Sequence, residues 1–149
     1  MDCVRIYEIP DCKVVSSGIG NFGEEKFERF DAWFSALPRE FSPKIFPRDF
    51  LFWEGTGFHW VYLYEEGMDV PSEFDIIDFR GGLYAVATGT DGEDNAAERE
   101  AAVQFAASHG FEPDDTRPEL GNVITPPSAE AVLGYSQMDY YLPIRPKTN

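Results

Sequence analysis

VRIYEIPDCKVVSSG (residues 4–18) and FDIIDFRGGLYAVATG (74–89) read as two copies of one segment, the second longer by one residue. Each copy has the pattern of strand, turn, strand. Ile6, Ile9 and Val14 supply the β patterning in the first copy, and Ile76, Phe79 and Val86 supply it in the second. Pro10-Asp11 and Gly81-Gly82 mark the turn or bulge between the paired runs. Downstream, Asn21-Phe22-Gly23-Glu24 and Asp91-Gly92-Glu93-Asp94 each place a short polar side chain ahead of acids, as helix N-termini prefer. A helix over about 23–37 then carries Phe27, Phe30, Phe34 and Leu37 on one face and stops at Pro38. A second, over about 94–109, carries the smaller stripe Ala101, Ala102, Phe105 and Ala106, and Gly110 followed by Phe111 ends it.

Working outward, GFHWVYLYEE (57–66) and MDYYLPIR (138–145) read as strands from their aromatic and β-branched content. Between Glu119 and the last strand, VITPPSAEAVLGY predicts a short helix capped by Ser128 and ended by Gly134. The expected fold is α+β: a tandem pseudo-symmetric repeat, an antiparallel sheet with two main helices on one face, and a ligand groove between the repeats. Repeat 1 covers about 1–70 and repeat 2 about 71–149, within a single domain.

The 149 residues carry 12 Lys+Arg against 27 Asp+Glu, a formal charge of −15, which repels a phosphate backbone and argues against direct nucleic-acid binding. With 43% hydrophobic and 15% aromatic residues the chain is far too apolar for a disordered acidic tail. No stretch approaches the roughly 18 apolar residues that span a bilayer. The first ten residues lack a signal-peptide pattern, so the expectation is a cytoplasmic protein with no membrane partner. Cys3 and Cys12 are expected as free thiols, and with His59 and His109 they lack zinc spacing, so neither metal nor cofactor is expected. His109 suits a helix C-terminus, and His59 reads as structural.

Alternation along 57–66 sets Phe58, Trp60, Tyr62 and Tyr64 on one face and His59, Val61, Leu63 and Glu65 on the other. Val61 and Leu63 suit packing under a helix, whereas Trp60 and Tyr62 carry polar tips, which places them on the groove side; burial as core rings is the competing reading. In the last strand Asp139, Tyr141 and Pro143 share a face, and superposing the repeats brings Tyr62 opposite Tyr141. Glu119, entering the second repeat's sheet, supplies a carboxylate beside rings, a combination that selects organic cations. No nucleophile elbow, phosphate loop or paired-His motif is present.

IIDFRGGLYAVATG (76–89), PRDFLFW (47–53), GFHWVYLYEE, RPELGNVI (117–124) and QMDYYLPIR (137–145), in this order, resemble the bacterial GyrI-like effector-binding domain. That domain is the ligand-binding half of many AraC- and MerR-type transcription regulators. The resemblance implies a pocket between repeats that often takes lipophilic cations, with Glu119 at its floor, Tyr141 as a pocket aromatic, and Trp60 and Tyr62 as first-repeat counterparts. Trp53 and Phe58, from the neighbouring family-like stretches, complete the expected ligand-binding set. Where the family often has an aromatic two residues after the glutamate, this chain has Gly121. The family's DNA-binding region has no counterpart here, so a stand-alone sensor or drug-binding protein for a hydrophobic or cationic small molecule is expected. Two alternatives stand beside it: a GyrI-like hydrolase of electrophilic aromatic compounds using Glu119, metal-free and with no other catalytic residue, and an acidic DNA-mimic or protein-interaction role with a protein partner or dimer.

Overall fold

The computed structural model describes residues 3–43, 47–54 and 57–148. Its elements in chain order are β1 (Arg5–Ile9), β2 (Cys12–Ser16), α1 (Glu25–Ser35), β3 (Asp49–Glu54), β4 (Gly57–Leu63), β5 (Asp75–Phe79), β6 (Gly82–Thr90), α2 (Ala96–Ser108), β7 (Phe111–Pro113), β8 (Leu120–Val123), α3 (Pro127–Leu133) and β9 (Gln137–Pro146). The fold is α+β and its strand pairings are antiparallel. The chain forms two compact units. Unit I is Asp11–Arg80; unit II comprises the residues up to Pro10 and those from Gly81 onward.

The repeated segments do not close as hairpins. β1 pairs with β6, from Arg5↔Val86 to Ile9↔Gly82, and β2 pairs with β5, from Cys12↔Phe79 to Ser16↔Asp75. The first strand of each copy therefore lies against the second strand of the other copy. At Pro10-Asp11 and Arg80-Gly81 the chain passes from one unit to the other instead of turning back on itself. A Cβ on Gly81 would stand 1.9 Å from the Ile9 carbonyl oxygen and 2.5 Å from the Pro10 carbonyl carbon, so only glycine permits this approach.

In unit I the strand order is β3-β4-β2-β5, and α1 packs on one face. Phe27 and Phe30 are buried, and Glu25 and Glu28 in the first turn suit the positive end of the helix dipole. Glu24 reaches back to accept the Asn21 backbone N–H at 3.0 Å, a contact that precedes the helix without using the Asn21 side chain as cap. The core beneath α1 consists of Val15, Phe30, Phe41, Tyr62, Met68 and Phe74, with Trp33, Phe34 and Trp60 packed around it.

In unit II the order is β1-β6-β9-β8, with β7 also on β9. Ala102 and Ala106 are fully buried, and these small side chains let α2 lie close to the sheet. Gly110 follows α2 with φ +86°, the left-handed conformation its position requires. α3 starts at Pro127, where the missing N–H is not needed, so Ser128 lies inside the helix and is not its cap. Gly134 ends α3 as expected, in the left-handed region.

Candidate functional site

Strand register decides which side chains share a face, because opposed residues in an antiparallel pair point the same way. In unit II, Tyr141 opposes Val86 and Leu120, and Asp139 opposes Thr88 and Asn122. Tyr7 opposes Tyr84 and Arg5 opposes Val86. These residues share one face. Tyr140, Ala85, Ala87 and Gly89 share the other, where an added Cβ on Gly89 would meet Glu98 of α2 at 2.6 Å. The tyrosine face is therefore the one turned away from α2.

On that face the rings form a row. Tyr141 lies 6.2 Å from Tyr7 and 5.9 Å from Tyr84, the latter edge-on at 74°. At one end Arg5 and Asp139 pair at 2.6 Å, with side-chain exposures of 38% and 5%. Asp139 Oδ1 also accepts from Thr88 Oγ1 at 2.7 Å, while Arg5 donates to the Tyr7 hydroxyl at 2.8 Å and lies 5.2 Å above its ring. Burial works to lower the Arg5 pKa, but Asp139 and Tyr7 outweigh it and raise it. Burial raises Tyr141 far above the ordinary phenol range, with Asp139 and Tyr7 adding to the shift. At the other end the Arg117 guanidinium lies 4.7 Å over the Tyr84 ring. It donates to Asp114 at 2.9 Å and to the carbonyls of Leu83 and Ile144 at 2.9 and 2.7 Å.

The arrangement combines two buried rings, Tyr84 and Tyr141, and the partly exposed ring of Tyr7 with a buried carboxylate and a partly exposed cation. What it presents to a ligand from outside is the Tyr7 ring beside the Arg5 guanidinium, with Asp139 behind them, and the row holds no nucleophile–base pair. Among the described residues no cluster of three His, Cys, Asp or Glu side chains could hold a metal ion, and no helix is long and apolar enough to cross a membrane. Cys3 and Cys12 are free thiols.

Of the residues singled out from sequence, Tyr141 lies in this row. Glu119 does not join it. It directly precedes Leu120, which opposes Tyr141, so its side chain turns to the α2 side. There its Oε1 accepts from Arg99 Nε at 2.8 Å, and it lies against the Tyr140 hydroxyl, whose pKa is raised by burial first and by Glu119 second.

The aromatic face of β4 is also reversed from expectation. Trp60 and Tyr62 lie under α1, with ring centroids 5.1 and 5.2 Å from Phe34. Their polar tips find partners inside the core: Trp60 Nε1 donates to Asp49 at 3.1 Å and Tyr62 Oη donates to the Phe41 carbonyl at 2.5 Å. Phe58 stacks on Phe27 of α1 at 4.6 Å and 15°, and Trp53 opposes Phe58 on the same face. Val61 and Leu63, expected beneath the helix, lie on the opposite side. Tyr62 and Tyr141 thus occupy different kinds of face, and Tyr140 is the helix-side tyrosine of unit II.

His59 links two strands besides its own. Nδ1 is 2.8 Å from Ser16 Oγ and Nε2 is 2.6 Å from Glu54 Oε2. The carboxylate can only accept, so Nε2 carries a proton, and Nδ1 meets the Ser16 hydroxyl, which can donate or accept. Ser16 is only 2% exposed, and the chain serves as an internal tie between β2, β4 and β3.

Sequence reasoning missed Arg5, Tyr7 and Tyr84 and made no use of Asp139. The signal for Asp139 was present in its alternation with Tyr141. Arg5 and Tyr7 could not be placed without knowing that β1 pairs with β6.

No protein-family model and no curated protein matches the sequence. Solved structures do match it. The C-terminal domain of EcmrR superposes with a TM-score of 0.63 at 10% identity, covering 99% of each chain. A hydrolase from Listeria innocua superposes at 0.67 with 11% identity, covering 95% of this chain and 91% of that one. EcmrR bound to DNA superposes at 0.63 with 9% identity; the match covers 97% of this chain but 57% of that longer one. Identity near one residue in ten carries the fold across and no activity with it. The fold of this chain is GyrI-like.

Proposed function

We propose that this chain is a small-molecule binding domain of the transcription-regulator type, and that it stacks a flat, lipophilic or cationic aromatic ligand against Tyr7, Tyr84 and Tyr141. The observation that carries this reading is the row of three tyrosines on the face away from α2, ended by Asp139 and Arg5. Tyr7 is the partly exposed ring of the row while Tyr84 and Tyr141 are buried, so the ligand docks at Tyr7 and reaches the other two by displacing what covers them, and the buried carboxylate fixes the orientation of a charged or hydrogen-bonding group. The GyrI-like fold shared with the EcmrR C-terminal domain supports the same class of role. Glu119 is engaged by Arg99 and faces the other way, so its part in binding is replaced in this reading by Asp139.

Three naphthalenes differing only in charge test the proposal: 2-naphthalenemethanol, 2-naphthylmethylammonium and 2-naphthoate. Binding to the native state raises the melting temperature by mass action. Stabilisation by the neutral compound, reduced at least tenfold in affinity in Tyr7→Ala, is expected. Absence of stabilisation by all three would overturn the reading.

A further inference from the structure

A buried carboxylate among aromatic rings is a receptor for an organic cation. Here that receptor is already filled from within the chain. Arg5 Nη2 donates to Asp139 Oδ1 at 2.6 Å and to Thr88 Oγ1 at 3.0 Å, Nη1 donates to Tyr7 Oη at 2.8 Å, and the guanidinium plane lies 5.2 Å above the Tyr7 ring. Asp139 is the buried member of the pair, whereas more than a third of the Arg5 side chain remains exposed. Arg5 also sits on β1, which among the described residues ends the strand order with β6 as its neighbour, so its long side chain can leave the face without disturbing a second strand on its other side. A buried carboxylate stripped of its cation is strongly destabilised, and another cation that reaches it recovers that free energy.

We propose that Arg5 is a tethered cation that occupies the charge-binding half of the tyrosine site, so that it sets ligand selectivity: cationic aromatics must displace the guanidinium from Asp139, whereas neutral aromatics enter at the partly exposed Tyr7 ring without breaking the Arg5–Asp139 pair. The proposal rests on the tyrosine face being the ligand site and adds the charge rule for it. Because Arg5 pairs with Asp139 at no net charge, the intact site does not reward a cationic ligand over its neutral counterpart. Removing the guanidinium reverses that preference.

The test compares wild type with Arg5→Met, which keeps an apolar stem, and Arg5→Ala, which leaves space. Affinity for 2-naphthylmethylammonium should rise about tenfold or more relative to that for 2-naphthalenemethanol in Arg5→Met, as expected for exposing a desolvated carboxylate to a cation. Adding Asp139→Asn to Arg5→Met should abolish the gain. Independently of any aromatic ligand, millimolar methylguanidinium should raise the melting temperature of Arg5→Ala and leave wild type unchanged. An equal ratio of cation to neutral affinity in wild type and Arg5→Met, or an equal methylguanidinium response in Arg5→Ala and wild type, would overturn the tethered-cation role. If the neutral naphthalene still binds in that case, the tyrosine site itself stands. If no naphthalene binds but methylguanidinium rescues Arg5→Ala, the ligand reading fails and the cation receptor at Asp139 remains.

Discussion

Glu119 and Asp139 are both carboxylates next to tyrosines, and one step of register separates their roles. Leu120 opposes Tyr141, so the residue before it must point to the α2 side, where Arg99 takes it. Asp139 shares the parity of Tyr141 and lies with it. Asp114 shows how a third acid serves structure. Burial works to raise its pKa, but hydrogen bonds from Thr116 and Arg117 outweigh that and bring it down to about 2. Because the folded-state value lies below the unfolded one, Asp114 stabilises the fold above about pH 4 and loses that contribution as pH falls toward 2. Asp114→Asn should therefore cost about 2–4 kcal/mol in urea unfolding at pH 7, through the stranded Arg117 charge, and the gap to wild type should shrink at pH 2.5. Tyr62→Phe, which removes only the bond to the Phe41 carbonyl, should cost about 1 kcal/mol in the same assay and leave naphthalene binding unchanged. Those outcomes follow from the placement of Tyr62 under α1, which its alternation alone did not decide: Trp60 and Tyr62 have polar tips that suit either a wet groove or an internal acceptor, and Asp49 and the Phe41 carbonyl supply the internal one.

At the scale of elements, the exchange of first strands is held at Gly81. Gly81→Ala should destabilise the protein by at least about 2–3 kcal/mol, measured by chemical unfolding, because the added methyl meets backbone atoms of Ile9 and Pro10 that cannot rotate away. Gly110→Ala is the useful contrast. Nothing lies within 4 Å of its added Cβ, so only the left-handed backbone resists it, at about 1 kcal/mol. The helices were legible in the sequence because Phe27, Phe30 and Phe34 recur at helical spacing and Gly110 and Gly134 end their segments. The repeat was legible too. Strand pairing was not, since a hairpin and an exchanged pair have the same local pattern: Pro10-Asp11 and Gly81-Gly82 resemble turns either way. The site inherited this gap. Tyr7 and Arg5 come from a strand whose neighbour lies more than seventy residues away in sequence, at Arg5↔Val86.

For the molecule as a whole, a formal charge of −15 over 149 residues means that self-repulsion opposes folding at low ionic strength. The melting temperature should rise by a few degrees between about 10 mM and 300 mM salt as the Debye length falls from about 30 Å to below 8 Å. Binding of the neutral naphthalene should be nearly independent of salt over this range, since stacking on tyrosines involves no charge. The most direct measurement is a titration of the protein with 2-naphthalenemethanol followed by the aromatic-ring NMR resonances of its tyrosines. Ring-current shifts concentrated on Tyr7, Tyr84 and Tyr141, with Tyr62 and Tyr140 unmoved, are the predicted result. Shifts concentrated on Tyr140, or on Tyr62 beneath α1, would contradict it and move the ligand to a helix-covered face.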